Sequence, residues 1–309
     1  MKPLLLLTLL LPLICGTMPA GEGLRSYRCA SMEGLFIGLD RKGEELAAKY
    51  YIQAVVEEAG VQLICNSYPD SKQLAEDVAA GQVDVVIVSA VDYLQQNMST
   101  FLRPVAIPVR ESQPGERLVL KIRKGSGIKS LADLKGKSIN LDSGKNQPLH
   151  ALWLDQQLAA EGLPPAREFL SGTVPLQETQ RAILPLFYGH AEAAVLTEPL
   201  YEAAVDRNAQ LAERLVTLKE SEPMTGCLLC VHKDFDKLSA SALTSVATHL
   251  GTTKAGIFLL QLLKTSHFAP FKEEHLDSTK RLLAGSIASV SALPTQPVYG
   301  TIPASKDHE

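Results

Sequence analysis

The stretch Arg123–Leu158, RKGSGIKSLADLKGKSINLDSGKNQPLHALWLDQQL, decides how the rest of the chain is read. Gly125, Gly127 and Gly136 punctuate it, a short apolar strand follows at Ser138 to Leu141, and Asp142-Ser-Gly-Lys-Asn-Gln-Pro148 leads into a helical pattern. Strand, small polar loop and helix start, in that order, leave backbone N–H groups unpaired at the positive end of a helix dipole, where an anion or strongly polar ligand is held. Pro148 suits the first helical position, because its missing N–H would have no partner there. Ser143, Gly144, Lys145 and Asn146 are therefore candidate donors of hydroxyl, N–H and ammonium hydrogens. The same spacing also fits a strand-to-helix loop that binds nothing, so the neighbouring sequence has to decide.

Around that loop, Lys121, Arg123, Lys124, Lys129, Lys135, Lys137 and Lys145 face only Asp133 and Asp142. Such a patch draws anions through its long-range field, although a solvated face carries the same composition. The whole chain, at a net charge of −4, has no general pull towards nucleic acid or an acidic membrane.

Upstream, Tyr27 to Ala30, Val61 to Cys65 and Val83 to Val88 read as strands. Glu44 to Ala59 reads as a helix with Leu46, Tyr50 and Ala54 in one row, and Lys72 to Ala80 as a second helix capped by Ser71 or Asp70. Alternating strands and helices with short loops imply right-handed βαβ units and a parallel sheet, whose ligands lie beyond the carboxyl ends of the strands. Ser71, Ser89 and Tyr93 follow those ends and are candidate contacts. Downstream of Leu158, Phe169-Leu170 reads as a strand, Ser171 to Pro175 as a loop offering Ser171 and Thr173, and Leu176 to Tyr188 as a helix. Glu192 to Leu196 is a further strand, and Thr197-Glu198-Pro199 opens a helix at another corner. Glu198 there either meets a cationic group on a ligand or caps its own helix. Leu215 to Leu218 and Cys227 to His232 are strands, and from Leu238 the pattern is helical throughout.

The expected fold is α/β with two lobes, each a mostly parallel sheet flanked by helices, the second inserted between strands of the first. Residues 24–110 and 223–290 form the first lobe, 111–222 the second and 291–309 a polar tail. Two strands crossing between lobes make a cleft that opens and shuts by hinge motion around a small ligand. Residues 1–23, with the apolar run Leu4 to Ile14, read as a cleaved export signal. Lipid anchoring at Cys15 is disfavoured, because Ile14 precedes it where such signals carry Gly, Ala or Ser.

Cysteines stand at 15, 29, 65, 227 and 230, and export permits disulfides whose connectivity the sequence does not give. Cys227 and Cys230 are three apart on one strand and point to opposite faces, which favours buried thiols or one structural bridge over redox or metal chemistry. Cys29 and Cys65 fall in the first two strands, where they stand to be neighbours. His150, His190, His232, His249, His267 and His275 occur singly, without HExxH or zinc spacing, and Ser143 lacks a G-x-S-x-G elbow. No catalytic residue, metal or cofactor is expected.

Three phrases carry a family resemblance: Gly81-Gln-Val-Asp84-Val-Val with Tyr93 downstream, Lys124-Gly-Ser-Gly-Ile-Lys-Ser-Leu-Ala-Asp-Leu-Lys-Gly-Lys137, and Gly189-His-Ala-Glu-Ala-Ala-Val-Leu-Thr-Glu198. Over about Leu24 to Leu282 the chain resembles the periplasmic substrate-binding proteins of ABC importers, most closely their phosphate, phosphite and phosphonate branch. The resemblance implies a type II two-lobed binding-protein fold and a monomer that captures a small polar or anionic solute and delivers it to an ABC transporter permease. The alternative is a sensory module that reports the same ligand to a membrane sensor kinase. In that branch a Ser-Thr-Ser-Gly run, three residues and Pro hold the oxyanion; this chain has Ser143-Gly144, three residues and Pro148. Tyr93 matches a ligand-contacting position. Ser71 stands where many members carry Tyr, Thr179 near a frequent His, and Thr197 with Glu198 where an Asp often follows the strand.

Overall fold

A computed structural model describes residues 25–32, 42–43, 46–50, 61–110, 113–142, 148–176, 179–263 and 265–290. The β-branched run Val85–Ser89 forms β3, which is almost wholly buried. It lies beside β1 (Arg25–Met32), which pairs in parallel with both β3 and β2 (Val61–Tyr68). Three further strands extend this core in antiparallel fashion: β4 (Leu102–Arg110), β11 (Cys227–His232) and β12 (His267–Pro270). Among the described residues the first sheet has the order β12-β4-β11-β3-β1-β2, with the short β5 (Gln113–Pro114) paired to β4. The second sheet has the order β10-β6-β9-β7-β8. Its parallel centre is β7 (Ser138–Asp142), β8 (Gly172–Leu176) and β9 (Ala193–Thr197); β6 (Leu118–Arg123) pairs antiparallel with β9, and β10 (Leu215–Glu220) pairs antiparallel with β6.

Both faces of each sheet are covered, which explains why these strands read as continuous apolar runs. In β1 and β3, Cys29 and Val85 enter one core while Ala30, Val86 and Val88 enter the other. In β6 and β9, Leu118, Leu120, Ala193 and Val195 face one side, and Val119, Ala194 and Leu196 the other. The helices whose two ends fall among the described residues are α1 (Ser71–Ala79), α2 (Ala90–Gln95), α3 (Pro148–Ala160), α4 (Ala166–Phe169), α5 (Thr179–Tyr188), α6 (Glu198–Arg207) and α7 (Gln210–Arg214), followed by α8 (Lys237–His249), α9 (Lys254–Leu262) and α10 (Asp277–Val290); residues 46–50 are also helical. Asp70 caps α1, its carboxylate accepting from the N–H groups of Lys72 and Gln73 at 2.7 and 3.0 Å.

Two local expectations differ from the structure. Phe169 closes the helical turn α4, which is anchored by the Ala166 N–H donating to Asp155 at 2.7 Å, and the strand begins three residues later at Gly172. A two-residue apolar pair carries no period, so its type is set by burial in the second core. Pro175 suggested a loop, but β8 is the edge of its sheet, where a residue without an N–H is tolerated. The second difference is β12, which interrupts the expected run of C-terminal helices. It is four residues long and, among the described residues, pairs only with β4, too short to show an alternation.

Candidate functional site

The chain passes from the first sheet to the second between β4 and β6 and returns between β10 and β11. The two crossing segments are joined by a pair of backbone hydrogen bonds, Glu116 N–H to the Met224 carbonyl and Met224 N–H to the Glu116 carbonyl, both 2.8 Å. Two strand-to-helix corners are tied to this pair. The Ala90 N–H, at the β3–α2 corner, donates to the Gly226 carbonyl at 3.2 Å; the Glu198 N–H, at the β9–α6 corner, donates to the Arg117 carbonyl at 2.8 Å. The carboxyl edges of the two parallel centres thus meet at the same crossing, which is where ligands of open α/β sheets bind.

On the first side, Ser71 is half-buried at the start of α1 and accepts a long hydrogen bond, 3.5 Å, from the Gln96 side chain. Ser89 is fully buried and caps α2: its hydroxyl accepts from the Asp92 N–H at 2.9 Å and donates to the Asp92 carboxylate at 2.6 Å. Tyr93 is buried in the same core as Cys230 and Leu276. Burial, with the nearby Cys230 and Glu273, pushes its phenol up to about 12, so it stays protonated and available as a donor at neutral pH.

On the second side, Thr197 occupies the N-cap of α6 and is 8% exposed, yet its hydroxyl makes no cap hydrogen bond and has no partner among the described residues. A buried hydroxyl without a partner costs about 1–3 kcal/mol, which a ligand acceptor would recover. The register of β7 against β9 puts Asp142 at the same edge as Leu196 and Thr197. Ser143, Gly144, Lys145 and Asn146 follow Asp142 directly, but they lie outside the described residues. Ser171 and Thr173 are exposed at the start of β8, with Thr173 level with Ile139 near the start of β7. The structure thus sets them at the amino edge of the second sheet, away from Thr197.

Three features of this region go beyond the sequence, which offered Lys121 only as a member of a basic patch. Arg110, at the end of β4, pairs with Glu202 on α6 and joins the first sheet to the second. Lys121 on β6 is buried, donates to the Thr217 hydroxyl at 2.7 Å and lies 3.7 Å from the centroid of the Tyr201 ring. Burial lowers its ammonium from the ordinary lysine range, and Glu198 and Glu220 oppose that fall. Finally, Gly226 packs so closely on Glu116 that a Cβ there would lie 2.7 Å from a carboxylate oxygen. Pairing between distant strands brings these groups together, and the only local signal was the glycine-bearing turn around Gly115. Among the described residues, no three His, Cys, Asp or Glu side chains gather as a metal site.

No curated protein matches the chain. Solved structures share its fold. A binding protein component of an ABC phosphonate transporter from Pseudomonas aeruginosa superposes with a TM-score of 0.66 at 15% identity, covering 88% of this chain and 91% of its own. PhnD1 from Prochlorococcus marinus in complex with methylphosphonate gives 0.64 at 12% identity over 84% and 97%. The periplasmic aliphatic sulphonate binding protein SsuA from Escherichia coli gives 0.57 at 16% identity over 92% and 98%. These are two-lobed periplasmic binding proteins, and at such identities they establish the fold alone. The family described as "ABC transporter, phosphonate, periplasmic substrate-binding protein" matches residues 45–276, well over half of the chain. With that match added to the two-sheet architecture and its hydrogen-bonded crossing, the chain belongs to the periplasmic substrate-binding proteins of phosphonate ABC transporters, a family of transport receptors rather than enzymes.

Proposed function

We propose that this chain, acting as an exported monomer, closes its two lobes around a small phosphorus oxyanion and presents it to the permease of an ABC transporter. Thr197 carries this reading: its unpartnered, buried hydroxyl stands at the positive end of a ten-residue helix, on the edge that faces the crossing. Ser143 to Asn146, which follow Asp142 in sequence, would supply further N–H, hydroxyl and ammonium donors, and Ser71, Ser89 and Tyr93 form the wall contributed by the first lobe. With its hydroxyl committed to Asp92, Ser89 contributes shape rather than a donor. Glu198 lies within electrostatic reach of the Lys121 ammonium in its own lobe. Its charge therefore needs no cation from the ligand, which favours an alkylphosphonate or phosphite over an aminoalkylphosphonate.

Calorimetric titration and thermal shift with methylphosphonate, phosphite, phosphate, 2-aminoethylphosphonate and sulfate test this. A ligand at a hundredfold excess over its Kd stabilises the fold by about 2.7 kcal/mol. Methylphosphonate or phosphite is expected to do so, and Thr197→Val to weaken it about tenfold by removing one hydrogen bond to a charged acceptor. No shift with any of the anions, or undiminished binding by the valine variant, overturns the reading.

A further inference from the structure

The geometry points to a disulfide between Cys29 and Cys65 that fastens β2, the outermost strand of the first sheet, to β1. The two cysteines stand directly opposite one another in the β1–β2 register. Adjacent strands lie about 4.8 Å apart, which falls within the Cα separation of about 4.4–6.8 Å that a disulfide spans. Their side chains share one face of the sheet: Cys29 is buried among Leu63, Val85 and Leu229, and Cys65 packs against that same cluster. A hydrogen bond with Cys65, followed by burial, holds the Cys29 thiol well above its ordinary range, consistent with direct contact between the two side chains.

The other pairings fail on position. Cys230 enters the core on the opposite face, with Ala30 and Val86. Cys227 is level with Ser89 on β3, whereas Cys29 is level with Val85; those positions are four residues apart along the strand, about 13 Å. The four cysteines among the described residues are free thiols in this structure, and of these a single pair is placed to join.

Half-buried Cys65 is the point of entry and buried Cys29 the resolving group. The Cys65 thiolate, its proton lost to solvent, attacks a disulfide-bearing oxidant, either a protein disulfide oxidase or a low-molecular-weight disulfide. This forms a mixed disulfide and expels one oxidant thiolate. Cys29 then gives up its proton and attacks the Cys65 sulfur, forming the Cys29–Cys65 bond and expelling the second thiolate. Two S–H bonds are lost and one S–S bond is made, and the oxidant leaves as two thiols carrying both electrons. The compartment in which the family works supplies such oxidants. The physical effect falls on β2, which among the described residues pairs with β1 alone.

The test uses the purified, folded chain, reduced and then equilibrated with oxidised or with reduced glutathione. Remaining thiols are alkylated in denaturant, and the peptides are mapped by mass spectrometry. Oxidation is expected to yield a linked Cys29–Cys65 peptide and to lower alkylation of both residues about tenfold or more, with Cys227 and Cys230 alkylated equally in both samples. Cys65→Ser is expected to leave Cys29 fully alkylated under oxidation. Equal alkylation of Cys29 and Cys65 in the two samples, a glutathione adduct on Cys65 without linkage, or a bridge to Cys227 or Cys230 overturns the proposal. The readout needs neither ligand nor transport, so it stands or falls separately from the anion-binding reading.

Discussion

His150 lies in the first turn of α3, 5% exposed, with no hydrogen-bond partner among the described residues for either ring nitrogen. Burial holds its imidazole down at about 4, against an ordinary value of 6.5. Between those values the unfolded chain binds the proton and the folded chain does not, so stability rises with pH across this window. The contribution is complete above pH 6.5 and is lost as pH falls towards about 4; at about 1.4 kcal/mol for each pH unit it amounts to about 3 kcal/mol. His150→Phe, close in size and without a titrating group, is expected to flatten the change in urea midpoint between pH 7 and pH 4.5. An equally steep profile in the variant would move the effect to other groups. At this scale the sequence marked Thr197 as a polar residue at a helix start and His150 only as a histidine without metal-ligand spacing. Burial and the lack of a partner are properties of what surrounds them, and those neighbours come from elsewhere in the chain.

At the scale of elements, the crossing segments are the part of the fold least tolerant of change. Gly115 has φ +97°, and a Cβ there would lie 2.6 Å from the Met224 carbonyl oxygen on the opposite crossing segment. Gly115→Ala is expected to cost about 1–3 kcal/mol through backbone strain, with a further loss from parting Glu116 and Met224. A lower urea midpoint with an unchanged slope is the readout, and an unchanged midpoint would mean that the segments separate freely. Buried strands were legible where the run was long: Val83 to Val88 announces β3 by its β-branched residues, and Asp70 with Ser71 announces the start of α1. Phe169-Leu170 and β12 were not legible, because two to four residues give periodicity nothing to act on. Their state follows from the cores and the strand they meet.

Across the whole molecule, α10 forms a third link between the sheets. Leu276, just before it, is buried in a core of the first sheet, whereas Leu282, within it, is buried with Trp153 and Leu154 in a core of the second. The Thr225 hydroxyl donates to the His275 carbonyl at 2.7 Å, and Arg281 bonds both carboxylate oxygens of Glu222 at 2.8 and 2.9 Å, so this link is fastened to the returning crossing segment. Leu282→Ala is expected to destabilise by about 2–4 kcal/mol through lost burial and a residual cavity, read by urea unfolding. A loss below about 0.5 kcal/mol, the range of surface substitutions, would show that the helix docks without supporting the second core. The sequence by itself determined the α/β class, the parallel βαβ centres and the family, because apolar periodicity, turn residues and the three shared phrases are local properties. Only the tertiary structure decided which corners meet at the crossing, which hydroxyl is left without a partner, which cysteines face each other and where the last helix docks. Each of these depends on contacts between residues tens to hundreds of positions apart, which no window of sequence contains.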